Sequence, residues 1–145
     1  MKIETSLYES ALNFLGMKEI PGSKHNPWIQ WAFSLTKFPE PWTDEDAWCS
    51  AAMNGWCYSI GVERSGSAAA ISWADVGESI SLEDAIIGMD ILVFPHHVGI
   101  YAGMKSKDLV KCLGGNQNNE VNVSPYLVSK LVAVRRLRRK KGMIS

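Results

Sequence analysis

The stretch Met89-Asp90-Ile91-Leu92-Val93-Phe94-Pro95-His96-His97-Val98-Gly99-Ile100-Tyr101-Ala102 decides the fold class of this 145-residue chain. Its side chains follow a period of two, the repeat of a β-strand whose successive side chains point to opposite faces of a sheet. We predict strands over residues 89–94 and 97–102. Gly, Asn, Asp or Pro separate them from further predicted strands over residues 109–113, 121–123 and 131–134.

Before Gly88 the apolar residues recur with a helical period instead. A first helix is predicted to start after Thr5 or Ser6, which are suitable N-caps, and to end at Gly16. A second helix is predicted to start at Asn26, because proline follows at the first helical position. Its predicted buried stripe consists of Trp28, Trp31, Ala32 and Leu35. Residues 38–43 contain two prolines and are predicted to be loop.

The third predicted helix carries Cys49 in its first turn and ends at Gly61. Its apolar positions repeat at helical spacing, at Cys49, Ala52, Met53, Trp56, Cys57 and Ile60. Asp46 is the favoured N-cap, and a capping box formed by Thr43 with Asp46 is the alternative. A short helix is predicted over residues 67–73. Helices followed by neighbouring strands indicate an α+β fold, with N-terminal helices packed on a mostly antiparallel sheet of about five strands.

Length, net charge and cysteine count indicate a single domain without a disulfide framework. The length fits one domain spanning residues 1–145, and the net charge of zero offers no global field that would recruit nucleic acid or a membrane. Three cysteines argue against a disulfide framework. The N-terminus lacks the pattern of a secretory signal, and no apolar run approaches a membrane span of roughly 18 residues. We therefore expect a monomer that is synthesised in the cytoplasm without a signal peptide and is not inserted in a membrane.

Cys49 is the candidate nucleophile. Backbone N–H groups and the macrodipole at the start of a helix stabilise a thiolate, and they can also bind an oxyanion. A nearby imidazolium would lower the thiol pKa further, so we expect a depressed pKa for Cys49. Cys57 and Cys112 occupy apolar periodic positions and are expected to be buried and inert.

Two adjacent histidines compete for the role of base. On a strand they point to opposite faces, so that only one can meet Cys49. His97 shares its face with Gly99, which is expected to leave open space beside the imidazole, and this favours His97 over His96. Asn116 lies where a side chain could orient the His97 ring. The alternative is that the segment 114–119, rich in Gly and Asn, is simply a turn.

These motifs carry a resemblance. Trp48-Cys49-Ser50-Ala51, then His97-Val98-Gly99-Ile100-Tyr101, then Gly114-Gly115-Asn116-Gln117 resemble the CHAP and NlpC-type branch of papain-like cysteine hydrolases, especially small phage and bacterial cell-wall hydrolases. The resemblance implies a papain-like fold and cleavage of amide bonds in peptidoglycan, without a cofactor or a metal. It makes Cys49 the nucleophile, His97 the base and Asn116 the orienting residue. The expected substrate contacts are Trp48, Ser50, Gly99, Tyr101 and Gln117.

The sequence departs from the family at two places. Many CHAP relatives have a carboxylate near the third catalytic position, and residues 114–119 contain none. Some relatives bind calcium through an acidic loop before the cysteine, whereas Asp44-Glu45-Asp46 is short and lacks the alternating ligands of a calcium loop. We interpret it as an acidic turn that caps the helix.

The biology leaves alternatives open. The basic tail over residues 135–145 is either solvated surface or a segment attracted to anionic envelope polymers. The favoured function is that of a phage endolysin that reaches the wall after release or export. The alternatives are a secreted antibacterial amidase effector and a catalytically silent module of the same fold that binds the wall.

Overall fold

The computed structural model describes residues 6–20, 25–41 and 47–139. Three helices come first, α1 (Leu7–Leu12), α2 (Pro27–Ser34) and α3 (Cys49–Ile60). Six strands follow, β1 (Glu78–Ser79), β2 (Asp90–Phe94), β3 (His97–Met104), β4 (Leu109–Gln117), β5 (Glu120–Leu127) and β6 (Ala133–Arg136). Short 3₁₀ helices span Ala70–Asp75, Leu82–Asp84 and Val128–Lys130. The predicted α+β class, with helices before strands, is confirmed.

The strands form one sheet of six in the order β1-β6-β2-β3-β4-β5, with antiparallel pairing throughout. Leu92 pairs with Gly99, and alternate residues of β2 and β3 face opposite sides, as their period of two predicted. The prediction missed β1, because two exposed residues are too few to show an alternation. β6 begins at Ala133 rather than at residue 131, since a 3₁₀ turn at Val128–Lys130 precedes it.

Polar side chains start the first two helices as predicted. The Ser6 side chain accepts a hydrogen bond from the Glu9 N–H. Asn26 accepts from the N–H groups of Trp28 and Ile29, ahead of Pro27 at the first helical position. Each cap satisfies donors that a helix start leaves without an intrahelical partner.

The extents of these helices differ from the predictions. α1 ends at Leu12, before the predicted Gly16. In α2 the fully buried residues are Ile29, Ala32 and Phe33, whereas Trp31 remains 38% exposed. The buried face of α2 therefore differs from the predicted one. The prediction assigned the tryptophans at 28 and 31 to the core because of their size and apolar character. The predicted short helix at residues 67–73 lies later, as the 3₁₀ helix Ala70–Asp75.

α3 is the central helix of the fold. Its residues from Cys49 to Cys57 are all buried, and it ends at Gly61, whose φ of 73° suits glycine as predicted. Gly55 allows close packing on α2, because a Cβ there would lie 2.9 Å from the Trp28 ring. Trp48 precedes the helix without a side-chain cap. With Trp48 at the N-cap position, α3 starts two residues later than the favoured cap Asp46 predicted. Thr43, Asp46 and the acidic turn at 44–46 lie outside the described residues.

Apolar clusters cover both faces of the sheet. The helix-covered face joins α3 to Ile91, Val93, Val98, Ile100, Ala102 and Leu113. On the opposite face, Leu92, Phe94, Tyr101, Val110, Cys112 and Val134 form a second cluster. Within the described ranges, no helix is long and apolar enough to cross a membrane.

The first arginines of the predicted basic tail belong to the sheet. Arg135 donates to the carbonyl oxygens of Val76 and Gly77, and Arg136 forms a 2.8 Å ion pair with the buried Asp90. Arg138 pairs with Glu63 at 3.0 Å. These contacts correct the prediction of a tail beginning at residue 135. Residues 140–145 lie outside the part of the chain that the structure describes.

Candidate active site

Cys49 is the first residue of α3, as predicted, and its sulfur lies against the edge of β3. The Sγ atom is 4.0 Å from the carbonyl oxygen of His96. The backbone N–H groups of Val98, Ser50 and Cys49 itself lie near the sulfur and lower its pKa. The thiol therefore lies beside the backbone of the residues on both sides of His97, His96 in the turn and Val98 in β3.

The position of the sulfur follows from the way β3 and β4 separate. The Val93 carbonyl accepts from the Val132 N–H on the β6 side, so the backbone groups of Val93 point away from its register partner Val98. In an antiparallel ladder, Val98 then directs its own N–H toward β4. Pairing of β3 with β4 begins at Ile100. Cys49 consequently occupies the place beside Val98 where a neighbouring strand would otherwise lie.

Burial controls the protonation of Cys49. The side chain is 3% exposed, and desolvation raises its pKa more than the neighbouring N–H groups lower it. The expectation of a depressed pKa for Cys49 was wrong. The predicted N–H groups are present, but they stabilise the thiolate by less than burial destabilises it. At neutral pH Cys49 is a thiol and not a thiolate.

His97 begins β3 and its ring is held in an aromatic environment. The imidazole stacks on Tyr126 with ring centroids 4.7 Å apart, and Phe94 lies 6.3 Å away on the same face. Burial lowers the His97 pKa, and a hydrogen bond from the ring to Gln117 opposes that shift. The imidazole is therefore neutral at pH 7, the state in which it can accept a proton.

His96 occupies a different position from the one predicted. It lies in the exposed turn between β2 and β3 rather than on a strand. The strand alternation still separates the two faces as expected, because Tyr101 belongs to the second cluster while Val98 and Ile100 belong to the helix-covered one. By the same alternation the His97 ring lies on the face of Tyr101, opposite the face that α3 covers. The structure thus brings the Cys49 sulfur to the backbone beside His97 and not to the imidazole itself.

The side chain that reaches the His97 ring belongs to Gln117. The imidazole Nε2 and the Gln117 Oε1 are 2.8 Å apart. Gly114 pairs with Asn122 whereas Gln117 pairs with Glu120, so the register of β4 slips by one residue between them. Asn116 lies in this bulge with a left-handed φ of 57°. An unbulged strand would place residue 116 opposite His97, and the extra residue brings Gln117 there instead.

The expected substrate contacts lie in the interior. Trp48 and Ser50 are fully buried, Gln117 is 3% exposed and Tyr101 is 7% exposed. Trp48 Nε1 donates to Glu19, and the Ser50 hydroxyl donates to the Ser67 carbonyl. These side chains support the site from within and, in this state, present little or no surface to a ligand.

Gly99 also differs from the expectation. A Cβ at this position would collide with the Cys112 sulfur. The space beside Gly99 is therefore filled by Cys112 and is not part of a cleft. Cys57 and Cys112 are free and fully buried, as expected for packing residues, and burial raises the pKa of both thiols.

An open groove of about 540 Å³ runs beside the exposed edge of His97. Most of its wall is apolar, and Lys130 adds a positive charge. The lining residues are Phe94, Pro95, His96, His97, Pro125, Tyr126, Leu127 and Lys130. The groove gives the His97 side of the site a surface on which a ligand can lie.

Two features of the site were missed from the sequence. Tyr126 was not considered, although it provides the face on which His97 stacks. Gln117 was expected to contact substrate, yet its amide contacts the imidazole. The signal was the density of Gly and Asn at 114–119, which favours bulges and left-handed residues. Comparison of the sequence with protein-family models and with curated proteins finds no match.

Proposed function

We propose that this chain is a thiol hydrolase that cleaves amide bonds in the peptide part of peptidoglycan. The observation that carries the proposal is the position of the Cys49 sulfur, which contacts the backbone on either side of His97. A cysteine at a helix start and a nearby histidine that a third side chain orients are the components of a thiol nucleophile with its base, and the proposed reaction requires the two side chains to come within hydrogen-bond reach. The resemblance of the surrounding motifs to CHAP and NlpC-type hydrolases supports peptidoglycan as substrate.

In the proposed mechanism, the neutral His97 takes the proton of the Cys49 thiol as the sulfur attacks the amide carbonyl. The N–H groups of Cys49 and Ser50 at the start of α3 stabilise the oxyanion. The carbon–nitrogen bond then breaks, and His97 returns its proton to the leaving amine. Water, deprotonated by His97, hydrolyses the thioester, and the thiol is regenerated.

The raised pKa of Cys49 makes proton transfer part of this reaction. A site with a preformed thiolate would need no such transfer, whereas here thiol and imidazole are both neutral before substrate binds. Because Cys49 is 3% exposed, the proposed reaction also requires that substrate binding uncover its sulfur. The groove beside His97 is suited to the leaving-amine side of the substrate, since His97 delivers the proton there.

A gel containing purified peptidoglycan tests this function. We expect the parent to clear the wall substrate and Cys49→Ala to lose clearing, while its circular dichroism stays parental. Cys57→Ala, on the same helix, is the matched control and should keep its activity. Clearing by Cys49→Ala at the parental rate would overturn the thiol mechanism. Mass analysis of the released muropeptides then distinguishes an endopeptidase from an amidase that frees whole stem peptides.

The burial of Cys49 favours one second candidate, a silent module that binds the wall without cutting it. In that case the parent and Cys49→Ala should sediment equally with insoluble peptidoglycan and release no peptide. Lytic activity in the parent excludes this candidate. A lytic phage enzyme and a secreted effector would share the same chemistry, and the gene neighbourhood would separate them.

A further inference from the structure

We propose that Asn122, supported by Ser124, is a positioning residue that locks the Gln117 amide and thereby keeps the proton of neutral His97 on Nε2. The inference rests on the proposed function, in which His97 is the base. It concerns a residue on β5 that the motifs resembling known hydrolases do not include. Its evidence is a chain of hydrogen bonds from Ser124 through Asn122 and Gln117 to the imidazole.

The first step is the orientation of the Gln117 amide. Its Nε2 lies 3.1 Å from the Cys112 carbonyl oxygen, 2.7 Å from the Asn122 carbonyl oxygen and 2.8 Å from Asn122 Oδ1. Carbonyl oxygens only accept hydrogen bonds, so the NH₂ end of the amide must face them. The carbonyl end, Oε1, is then the atom that faces His97.

The second step transfers this orientation to the imidazole. Oε1 of Gln117 accepts hydrogen bonds, so the His97 nitrogen 2.8 Å away must donate one. A neutral imidazole has a single N–H. With that proton on Nε2, the lone pair lies on Nδ1, which becomes the nitrogen available to take the Cys49 proton.

The third step identifies what Asn122 adds to the two backbone acceptors. Its Oδ1 accepts from the Gln117 side chain, while its Nδ2 donates to the Gln117 carbonyl oxygen at 2.8 Å. Asn122 therefore holds both the side chain and the main chain of the same residue. The Ser124 hydroxyl donates to Asn122 Oδ1 at 2.6 Å, which fixes the Asn122 amide in turn.

The local backbone explains why such a lock is needed. Gln117 lies within a bulged hairpin in which Asn116, Asn118 and Asn119 all have left-handed φ angles near 60°. Each such residue costs free energy relative to an ordinary strand conformation. The backbone on either side of Gln117 is therefore strained. Asn122 on β5 forms hydrogen bonds with both the side-chain amide and the backbone carbonyl of Gln117. These bonds hold Gln117 in the rotamer that meets His97.

Nitrogen NMR of the histidine rings tests the first part of the proposal without reference to activity. In the parent, at a pH where His97 is neutral, we expect Nε2 to give the signal of a protonated nitrogen and Nδ1 that of an unprotonated one. The His97 signals are assigned by their loss in His97→Gln. A parent His97 with its proton on Nδ1 would overturn the proposal, because the Gln117 amide would have to face the other way.

Asn122→Asp tests the second part, since it preserves shape but replaces the Nδ2 donor with an acceptor oxygen facing the Gln117 carbonyl. Because this oxygen repels the Gln117 carbonyl, we expect Gln117 to move away from the imidazole and the His97 ring to lose its single-tautomer signature. kcat should fall about tenfold, with KM within about twofold, as expected when positioning is lost but binding is kept. Ser124→Ala should shift both readouts less, in the same direction, and it serves if Asn122→Asp folds poorly.

The matched control is Asn118→Gly, an asparagine of the same hairpin whose left-handed φ glycine tolerates. It should leave the tautomer and kcat at parental values. Parental spectra and kcat in both Asn122→Asp and Ser124→Ala would overturn the lock. If the spectra change as expected but the parent cleaves no peptidoglycan, the lock stands and the proposed hydrolase function fails.

Discussion

The two faces of the sheet are stabilised by different kinds of interaction. On the helix-covered face, the side chains of Val93, Val98 and Ile100 pack in one apolar cluster with residues of α3. On the opposite face, apolar residues such as Phe94 share the surface with His97 and Gln117, whose positions depend on directed hydrogen bonds. Apolar contacts tolerate small shifts of register, whereas a hydrogen bond fails within an ångström or less.

The candidate site combines one residue from each face of the sheet. Cys49 comes from the apolar face and is positioned by the packing of α3. His97 comes from the polar network of the other face and is positioned by Gln117 and Tyr126. Disturbing the apolar packing of either face should therefore affect stability, whereas disturbing the hydrogen bonds around His97 should affect the chemistry.

Removing the base should give the largest effect of the variants that compare the two faces. His97→Ala should lower the rate of peptidoglycan cleavage by roughly 10²–10⁴, because acid–base catalysis is lost. His96→Ala, in the exposed turn, should stay near the parental rate. Turbidity assays on wall fragments measure both. An inactive His96→Ala with an active His97→Ala would show that the site uses the other histidine.

Gln117→Glu should have the next largest effect on the polar face. One carboxylate oxygen would face the carbonyl oxygens of Cys112 and Asn122, where the amide now donates. We expect a loss of about 1–3 kcal/mol in the free energy of unfolding, the cost of unpaired buried polar groups, together with reduced cleavage. Urea denaturation and the turbidity assay check the two effects.

Asn116→Ala is the control for that variant, because Asn116 was the residue expected to orient the imidazole. With Gln117 intact, it should keep parental cleavage. A loss in Asn116→Ala as large as that in Gln117→Glu would restore the original assignment and contradict the geometry of the bulge.

Periodicity sufficed for most of the fold but only for part of the site. The alternation of residues 89–102 and the helical spacing around Cys49 reflect which side chains are buried. The apolar or polar character of each residue indicates its burial without knowledge of the strand register. The choice between Asn116 and Gln117 depends on a slip of one residue in β4, and pattern alone does not locate such a slip. The depressed thiol pKa was expected from the helix start, whereas the opposing burial depends on tertiary packing around Cys49.

A third prediction concerns the apolar contact inside the second cluster. Gly99→Ala should destabilise the protein by about 1–3 kcal/mol, because its Cβ would collide with the Cys112 sulfur. Adding Cys112→Ala should recover much of that loss, since the new methyl group then fills the vacated space. A double-mutant cycle from thermal denaturation measures the coupling. Additive losses would show that the two residues do not share this space.

The smallest expected effect is an alkaline loss of stability. Cys57 keeps its proton in the folded state because burial raises its pKa, whereas the unfolded chain releases that proton above about pH 8.5. The contribution is fully present below that pH and decreases by up to about 1.4 kcal/mol per pH unit above it. Urea midpoints at pH 7.5 and 9.5 measure this slope, which should be shallower in Cys57→Ala. Equal slopes would show that Cys57 does not contribute.

The one-residue slip in β4 makes hairpin length a determinant of the chemistry of the site. If β4 ran straight here with its sequence unchanged, the partner of the imidazole would change from Gln117 to Asn116, the turn would grow by one residue, and the Gly-Gly-Asn-Gln motif would stay intact. Two homologous chains could therefore share every recognisable residue here and still orient their histidines differently. When such sequences are aligned, the placement of a single gap decides which side chain is assigned to the imidazole.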